Sequence, residues 1–306
     1  MRRRPYGFLS AFLAVSVAIA AVLTGCEPPV VTEGGQPRPE AIKSVISLSP
    51  STTEIVGSIN YNQVLKGRTQ ADDFPMAVKD VAVVASVKPD YESIAAIKPQ
   101  LVVYDKDLYN AQDIEKINQL GFKTYVFDAK TIDDFVKQVQ LLGAAIAAET
   151  NASSYADKVI AAKNAAMGDP ISPSPKVAVI LVSEGTEHYI AGTEGFLADV
   201  IRVSGGSLVG PKADRFVPLS PESVIAQNPD IIVIPFEADQ NKQDVSQRNA
   251  EARVRLLLAD PRFKSLNAIK NRKIVPIDED VLTRRGYRVD KLIDELHRRF
   301  AAAMRG

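Results

Sequence analysis

The sequence predicts an α/β fold with two similar lobes, and three observations support this prediction. One cassette of residues occurs twice, as Pro89 to Val103 and as Leu219 to Val233, at an offset of 130 residues. Each cassette ends in an apolar run without alternation, which is typical of a parallel strand covered on both faces. Predicted strands alternate with helices or short crossovers. We therefore expect two Rossmann-like lobes with parallel-type sheets, joined by one long helix.

Residues 1–25 have the composition of an export signal. Three arginines at positions 2–4 precede an apolar segment from Phe8 to Leu23, and Leu23-Thr24-Gly25-Cys26 resembles a bacterial lipoprotein cleavage box. Cys26 is the single cysteine, so no disulfide forms within the chain, and we predict that it is the lipid-modified first residue. An uncleaved membrane anchor is the alternative. Both interpretations place the remainder outside the cytoplasm, next to a membrane.

The next segment, residues 26–42, is rich in proline and glycine and has almost nothing to bury. This composition predicts a flexible tether between the lipid and the folded chain. Three of the 37 basic residues and none of the 37 acidic residues lie in residues 1–25, so the mature chain has 34 basic and 37 acidic residues. A balance this close to neutral gives no electrostatic footprint for nucleic acid.

The N-terminal lobe is predicted to span residues 43–148. It begins with a strand at residues 44–48, followed by a Ser- and Thr-rich turn in which Ser51 stands three positions before Glu54, the spacing of a capping box. A strand that leads into a capped helix places exposed amides and hydroxyls at the carboxyl edge of the sheet, where open α/β sheets bind ligands. Ser49 is therefore a candidate contact, and a purely structural capping box is the alternative.

The remaining elements of this lobe alternate in the same way. Predicted strands lie at residues 64–66, 81–84, 101–104 and 124–127, a polar loop at 67–75, and helices at 111–120 and 131–147.

A single helix, within residues 149–170, is predicted to connect the lobes, since apolar residues recur there at helical spacing and a Pro/Ser-rich segment follows. The C-terminal lobe, residues 171–306, restarts with a strand at 176–182. Further predicted elements are the segment 189–193, a helix at 196–203, a strand at 231–234, a charged helix at 239–259, a strand at 273–277 and a terminal helix at 289–304.

Each repeated cassette carries an acidic residue, Glu92 in the first and Glu222 in the second. Both are predicted to lie in the first turn of a short helix, where a carboxylate is favoured, and Pro99 and Pro229 end those helices. Capping alone would explain either glutamate. Their repetition, one in each lobe, suggests two equivalent charged corners that face one partner.

Several segments together resemble the cobalamin and iron-chelate binding proteins of ABC importers. The resemblance rests on residues 45–55, the loop 67–75, both cassettes, Gly192-Thr193 with Gly205-Gly206, and residues 263–276, and it extends over residues 43 to about 300. It implies a monomeric extracytoplasmic substrate-binding component with a ligand cleft between its lobes. It also implies that Glu92 and Glu222 form salt bridges with arginines of a permease dimer, which an ATPase drives.

The resemblance leaves the cargo open among a corrinoid, a ferric siderophore and heme. Corrinoid binders usually hold the flat ring with cleft aromatics, but this chain has no tryptophan. Ala71 stands where a contacting tyrosine is common, and Ser86 and Asp105 stand where such binders can carry tryptophan. Phe216 is an aromatic that remains.

The other candidates for ligand contact are polar, and basic groups facing a cleft would suit a chelate with carboxylates or phenolates. Solvation of these loop residues is the alternative for each, and His297 is predicted to be a surface residue. We expect no resident cofactor or metal. The polar candidates are Arg68, Gln70, Asp72, Asp105, Tyr109, His188, Arg284 and Arg285.

Catalysis is not expected. The sequence has no Gly-x-Ser-x-Gly elbow and no His-Glu-x-x-His motif, and its one cysteine is assigned to lipidation. A lipoprotein of this fold that serves as a scaffold or sensor, without an importer, is a further alternative.

Overall fold

The computed structural model describes residues 41–60, 63–185 and 187–305. The predicted export signal, the lipidation site Cys26 and nearly all of the tether lie outside these residues. In the described ranges, no helix is both long enough and apolar enough to cross a membrane. The chain from Ala41 onward forms one compact unit, which contains both predicted lobes. The predicted domain boundaries remain predictions.

The first sheet has five strands, all parallel, in the order β3-β2-β1-β4-β5. The strand predicted at 64–66 continues to Thr69, so the first third of the predicted polar loop belongs to the sheet. The strands are β1 (Val45–Ser47), β2 (Leu65–Thr69), β3 (Val83–Ala85), β4 (Leu101–Asp105) and β5 (Lys123–Phe127). The helices are α1 (Pro50–Ile59), α2 (Tyr91–Ile97), α3 (Ala111–Gln119) and α4 (Ile132–Ala145), with a 3₁₀ turn at Met76–Asp80.

The connecting helix is α5, Glu149–Gly168. Its buried face repeats at helical spacing and consists mainly of alanines, with Tyr155 as its one large ring. Small residues allow close packing against α4, where a Cβ at Gly143 would lie 2.2 Å from the Cβ of Ala152. The predicted single long helix between the two sheets is confirmed.

The second sheet is mixed, in the order β11-β10-β6-β7-β9, with β8 beside β6. Strand β7 is antiparallel to both β6 and β9, because the connection from β6 to β7 is too short for the crossover that a parallel pair needs. The strands are β6 (Lys176–Leu181), β7 (Tyr189–Ala191), β8 (Ser207–Leu208), β9 (Phe216–Pro218), β10 (Ile231–Phe236) and β11 (Ile274–Asp278). The helices are α6 (Gly195–Val203), α7 (Pro221–Gln227), α8 (Gln243–Ala259), α9 (Asn267–Lys270), α10 (Glu279–Thr283) and α11 (Val289–Arg305), with a 3₁₀ turn at Pro261–Phe263.

The two cassettes have the same local structure. The side chains of Asp90 and Ser220 cap α2 and α7, each accepting a hydrogen bond from the backbone N–H three residues later, at 3.1 and 3.2 Å. Both helices end at a residue in the left-handed region, Lys98 with φ 52° and Asn228 with φ 45°. Strands β4 and β10 follow, each parallel to the first strand of its own sheet. The repeat in the sequence is therefore a repeat in structure.

Candidate functional site

A cavity of about 470 Å³ is lined by residues from both lobes. Asp105, the last residue of β4, and Leu181, the last residue of β6, both face it. The cavity therefore lies at the carboxyl ends of the central parallel strands, where α/β sheets bind ligands. Its size is in the range of small-molecule sites.

The apolar part of the lining includes two aromatic side chains, Phe196 and Phe216. Both are partly buried, and Phe196 packs on Phe135 with ring centroids 5.6 Å apart. Phe216 was expected at the site from the sequence, whereas Phe196 was assigned only as the start of a helix. Its position three residues after Thr193, in the turn that follows β7, is the signal that could have indicated it. The other apolar side chains of the lining are Pro50, Leu108, Leu181, Ala191, Leu197 and Leu282.

The charged part of the lining is nearly balanced. It contains four basic side chains, Lys130, Arg215, Arg284 and Arg285, and five acidic ones, Asp105, Asp107, Glu194, Asp214 and Glu279. The lining has one more carboxylate than cations, so the basic side chains predicted at the cleft do not give it a net positive charge.

Arg284 and Arg285 line the cavity, as predicted, but both are paired with acidic residues of the first lobe. Arg284 Nη1 lies 2.6 Å from Asp73 Oδ1 and 3.3 Å from Glu54 Oε1. Arg285 forms an ion pair with Asp105 and donates to the carbonyl of Ala129 at 3.0 Å. Burial raises the pKa of the Asp105 carboxyl, and Arg285 opposes this rise. These cations are therefore already neutralised before any ligand arrives.

The other two lining cations differ in their pairing. Lys130 lies 3.4 Å from Asp128 and 3.5 Å from Asp214 of the second lobe. Arg215 is exposed, and within the described ranges its side chain forms no ion pair. Arg215 is consequently the lining cation best placed to meet an acceptor on a ligand.

Arg68 and Asp72, predicted as ligand contacts, are buried away from the cavity. The Arg68 guanidinium donates to four backbone carbonyls, those of Thr69, Asp72, Lys79 and Val81. The Asp72 carboxylate accepts hydrogen bonds from Thr53 and Thr69, while burial raises its pKa. Both side chains therefore hold the end of β2 and its following turn. Gln70, in the same turn, is exposed and does not line the cavity.

His188 also lies away from the cavity, buried with 5% of its surface exposed. The backbone N–H of Ser183 donates to Nδ1 at 3.3 Å, so Nε2 carries the proton and faces Asp260 Oδ2 at 3.1 Å. Hydrogen bonds from Arg262 hold the pKa of Asp260 at about 2. This arrangement stabilises the turn between β6 and β7.

Ser49 and Tyr109, the last two predicted contacts, are likewise absent from the lining. Ser49 is the N-cap of α1 and accepts from the N–H of Thr52 at 3.3 Å. The predicted capping box of Ser51 with Glu54 is therefore wrong, and Ser51 lines the cavity instead. In the described part of the chain, the buried hydroxyl of Tyr109 has no hydrogen-bond partner. Desolvation raises its pKa.

Of the ten predicted ligand contacts, the structure brings four together at the cavity: Asp105, Phe216, Arg284 and Arg285. Contact with a ligand remains a prediction for these four. The described residues contain no group of three His, Cys, Asp or Glu side chains that could hold a metal ion.

Glu92 and Glu222 lie on the surface, outside the cavity lining, in the first turns of α2 and α7. Ser220 Oγ donates to Glu222 Oε2 at 3.0 Å. The pKa of Glu222 is lowered by its own backbone N–H and by this hydrogen bond. Both carboxylates are thus available to a partner in the place that the cassettes predicted.

A profile of the periplasmic binding protein family matches residues 40–281. The chain belongs to this family. The predicted family and its two-lobed α/β fold are confirmed. The family is a class of binding proteins rather than a class of enzymes.

Proteins similar to this periplasmic binding protein are named for different cargoes, and one is named for none. The uncharacterized ABC transporter substrate-binding lipoprotein YvrC of Bacillus subtilis is 25% identical over 83% of this chain and 78% of its own length. The vitamin B12-binding protein of Vibrio vulnificus is 25% identical over 85% of this chain and 91% of its own length. The structure of the periplasmic heme-binding protein RhuT from Roseiflexus sp. RS-1 superposes with a TM-score of 0.72 at 21% identity, covering 86% of this chain and 99% of RhuT. This likeness in structure shows the fold alone.

Proposed function

We propose that this protein is the lipid-anchored substrate-binding component of an ABC importer, and that its cargo is a metal chelate whose metal is already fully coordinated. A corrinoid is the first candidate. The observation that carries the proposal is the cleft itself, which combines two aromatic side chains with a charge-balanced rim and offers the cargo no customary heme ligand.

The side chains that line the cleft indicate whether the protein could coordinate the metal of its cargo. Heme iron in proteins is held by histidine, cysteine, methionine or tyrosine. None of these four residue types occurs among the side chains that line the described cavity. A corrinoid or a ferric siderophore brings its metal with the coordination sphere filled, and such a chelate needs only shape and hydrogen bonds from the protein. The lining therefore favours these cargoes over heme.

The nearly balanced charge of the cavity lining indicates which groups the rim of the cargo carries. Arg284 and Arg285 are neutralised by Glu54, Asp73 and Asp105, so a polyanionic chelate would lose hydration and find neither of these two guanidinium groups free. An amide rim, as in a corrinoid, can instead donate to carboxylates and accept from Arg215. The two phenylalanine rings can cover its apolar surface. The similarity to a vitamin B12-binding protein over most of its length supports this assignment.

The test is a thermal-shift and calorimetry screen of the soluble chain that starts after Cys26. The ligands are cyanocobalamin, cobinamide, a ferric hydroxamate, a ferric catecholate and hemin. Cargo at 100 times its dissociation constant should stabilise the fold by about 2.7 kcal/mol. We expect this shift with the corrinoids. A shift with hemin alone would show that the cargo is not a chelate with a filled coordination sphere. No shift with any ligand would favour the scaffold or sensor alternative.

Truncating the two cleft phenylalanines is expected to weaken corrinoid binding. We expect Phe196→Ala and Phe216→Ala each to raise the dissociation constant by roughly tenfold to a hundredfold, in the range of aromatic contacts at binding sites. Calorimetry would measure it. Tyr189→Ala is a matched control, because Tyr189 is 40% exposed and does not line the cavity. Unchanged affinity in both phenylalanine variants would place the cargo elsewhere.

The membrane and permease contacts are part of the same proposal. Lipid on Cys26 would hold the protein at the membrane through the proline-rich tether. Glu92 and Glu222, one in each lobe, would contact arginines of the permease dimer. Exposed ion pairs contribute little affinity singly, so their role is orientation and register.

A further inference from the structure

One carboxylate of the first lobe is buried against the second lobe. Glu54, on α1, is only 1% exposed, and its oxygens accept four hydrogen bonds from a short segment that precedes α11. Arg288 donates through Nη2 at 2.6 Å and through Nε at 3.2 Å, the backbone N–H of Tyr287 donates at 3.2 Å, and Arg284 Nη1 donates at 3.3 Å. A carboxylate with two cations and a backbone donor is fully satisfied there.

The backbone of that segment is shaped to receive the carboxylate. A Cβ at Gly286 would lie 2.3 Å from Glu54 Oε2, so any larger residue would displace one of the two. On its other side, the segment is held by the connecting helix, because Tyr155 Oη donates to the carbonyl of Gly286 at 3.0 Å and accepts from the N–H of Val289 at 3.2 Å. The segment 284–288 is therefore fixed between α1 and α5.

This segment is also part of the cleft. Arg284 and Arg285 line the cavity, and Arg285 reaches across to Asp105 at the end of β4. The bonds to Glu54 thus determine where one wall of the cleft lies relative to the other. Separating the lobes at this point would break the ion pairs and hydrogen bonds between Glu54 and the segment, and the charged groups would then have to be solvated separately.

We infer that Glu54 is a positioning residue for cargo binding: it fixes segment 284–288 and thereby sets the relative orientation of the two lobes before cargo is bound. The effect on affinity rests on the proposed function, whereas the effect on lobe orientation does not. The contact between Glu54 and segment 284–288, called the joint below, differs from the ion pair of Lys130 with Asp214 at the cavity. Lys130 and Asp214 are exposed to solvent, whereas Glu54 is buried.

The experiment measures the distance between the lobes in the cargo-free protein. The soluble chain that starts after Cys26 has no cysteine, so Gln119→Cys on α3 and Gln247→Cys on α8 give two unique, exposed sites for spin labels. Pulsed electron resonance then gives the distance distribution. We expect one narrow distribution for the parent and a clearly broader or shifted one for Glu54→Gln. Glu295→Gln is the matched control, because Glu295 is paired with Arg298 and Arg299 of its own helix, α11, and does not line the cavity.

Cargo affinity provides the second readout. If only a tenth of Glu54→Gln molecules hold the competent arrangement, the dissociation constant rises about tenfold although the residue does not line the cavity. Gly286→Ala, which displaces the same joint from the other side, should give the same two changes. A distance distribution in Glu54→Gln and Gly286→Ala identical to that of the parent would overturn the inference.

Two other outcomes have distinct meanings. Complete unfolding of both variants, shown by circular dichroism, would also count against the inference, because a positioning residue leaves each sheet and its helices intact. If the parent chain binds none of the tested chelates, the proposed cargo is wrong, but the cargo-free distance distributions still test the role of Glu54.

Discussion

Uptake of cargo is expected to fall by roughly a hundredfold or more when Glu92 and Glu222 are both replaced by lysine. The new lysines would face the proposed permease arginines, and like charges opposite each other cost several kcal/mol, where each 1.4 kcal/mol is a factor of ten. Both side chains are exposed at the first turns of α2 and α7, outside the cavity lining. Cargo affinity should therefore remain that of the parent. A loss of transport with unchanged binding is the signature of a docking defect.

Two measurements separate these effects. Transport is followed with labelled cargo in vesicles that contain the permease and its ATPase, and affinity is measured by calorimetry on the same preparations. Glu149→Lys with Asp244→Lys is the matched control, since both residues are exposed acids in first helical turns outside the cassettes. The assignment fails if the Glu92 and Glu222 double variant transports like this control.

The structure of the two cassettes could be predicted from the sequence because the residues that determine it are close together in the chain. An N-cap, a first-turn carboxylate and a proline after the last turn lie within a dozen residues, and these signals recur in the second lobe. The connecting helix was predictable for the same reason. The antiparallel strand β7 was not, because its direction depends on the short connection from β6 rather than on any feature of its own three residues.

The charged residues show where sequence reasoning stops. Arg284 and Arg285 were correctly placed at the cleft, but their partners Glu54, Asp73 and Asp105 lie about 180 to 230 positions earlier in the chain. The pattern of residue types in a sequence cannot show which cations already form ion pairs in the folded protein. Glu54 is the clearest case, since its spacing from Ser51 fits a capping box while its carboxylate faces the other lobe.

The same limit applies to buried polar residues. Arg68, Asp72 and His188 read as polar residues near sheet edges, yet their side chains satisfy backbone groups and buried partners inside the fold. Whether a polar side chain faces the cleft or the interior depends on the strand end and on the turn that follows it. Strand β2 extends further than its apolar residues suggest, so Arg68 and Thr69 belong to the strand and are buried.

Tyr155→Ala is expected to lower the free energy of unfolding by about 3–5 kcal/mol, the range for removing a large buried aromatic side chain. Tyr155 is 1% exposed, stacks on Tyr287 at 4.0 Å between ring centroids, and meets the ring of Phe135 edge-on at 6.1 Å. Its hydroxyl joins Gly286 and Val289. The variant would lose packing between the connecting helix and the second lobe together with both hydrogen bonds.

Urea unfolding followed by circular dichroism measures this loss, and Tyr155→Phe divides it into its parts. The phenylalanine variant keeps the ring and leaves a buried N–H and a buried carbonyl without their shared partner, so it should cost about 1–3 kcal/mol. Tyr189→Ala should change the stability little, because Tyr189 is 40% exposed. A loss below about 1 kcal/mol in Tyr155→Ala would mean that the ring is not part of a core shared by the two lobes, since buried large-to-small changes cost more.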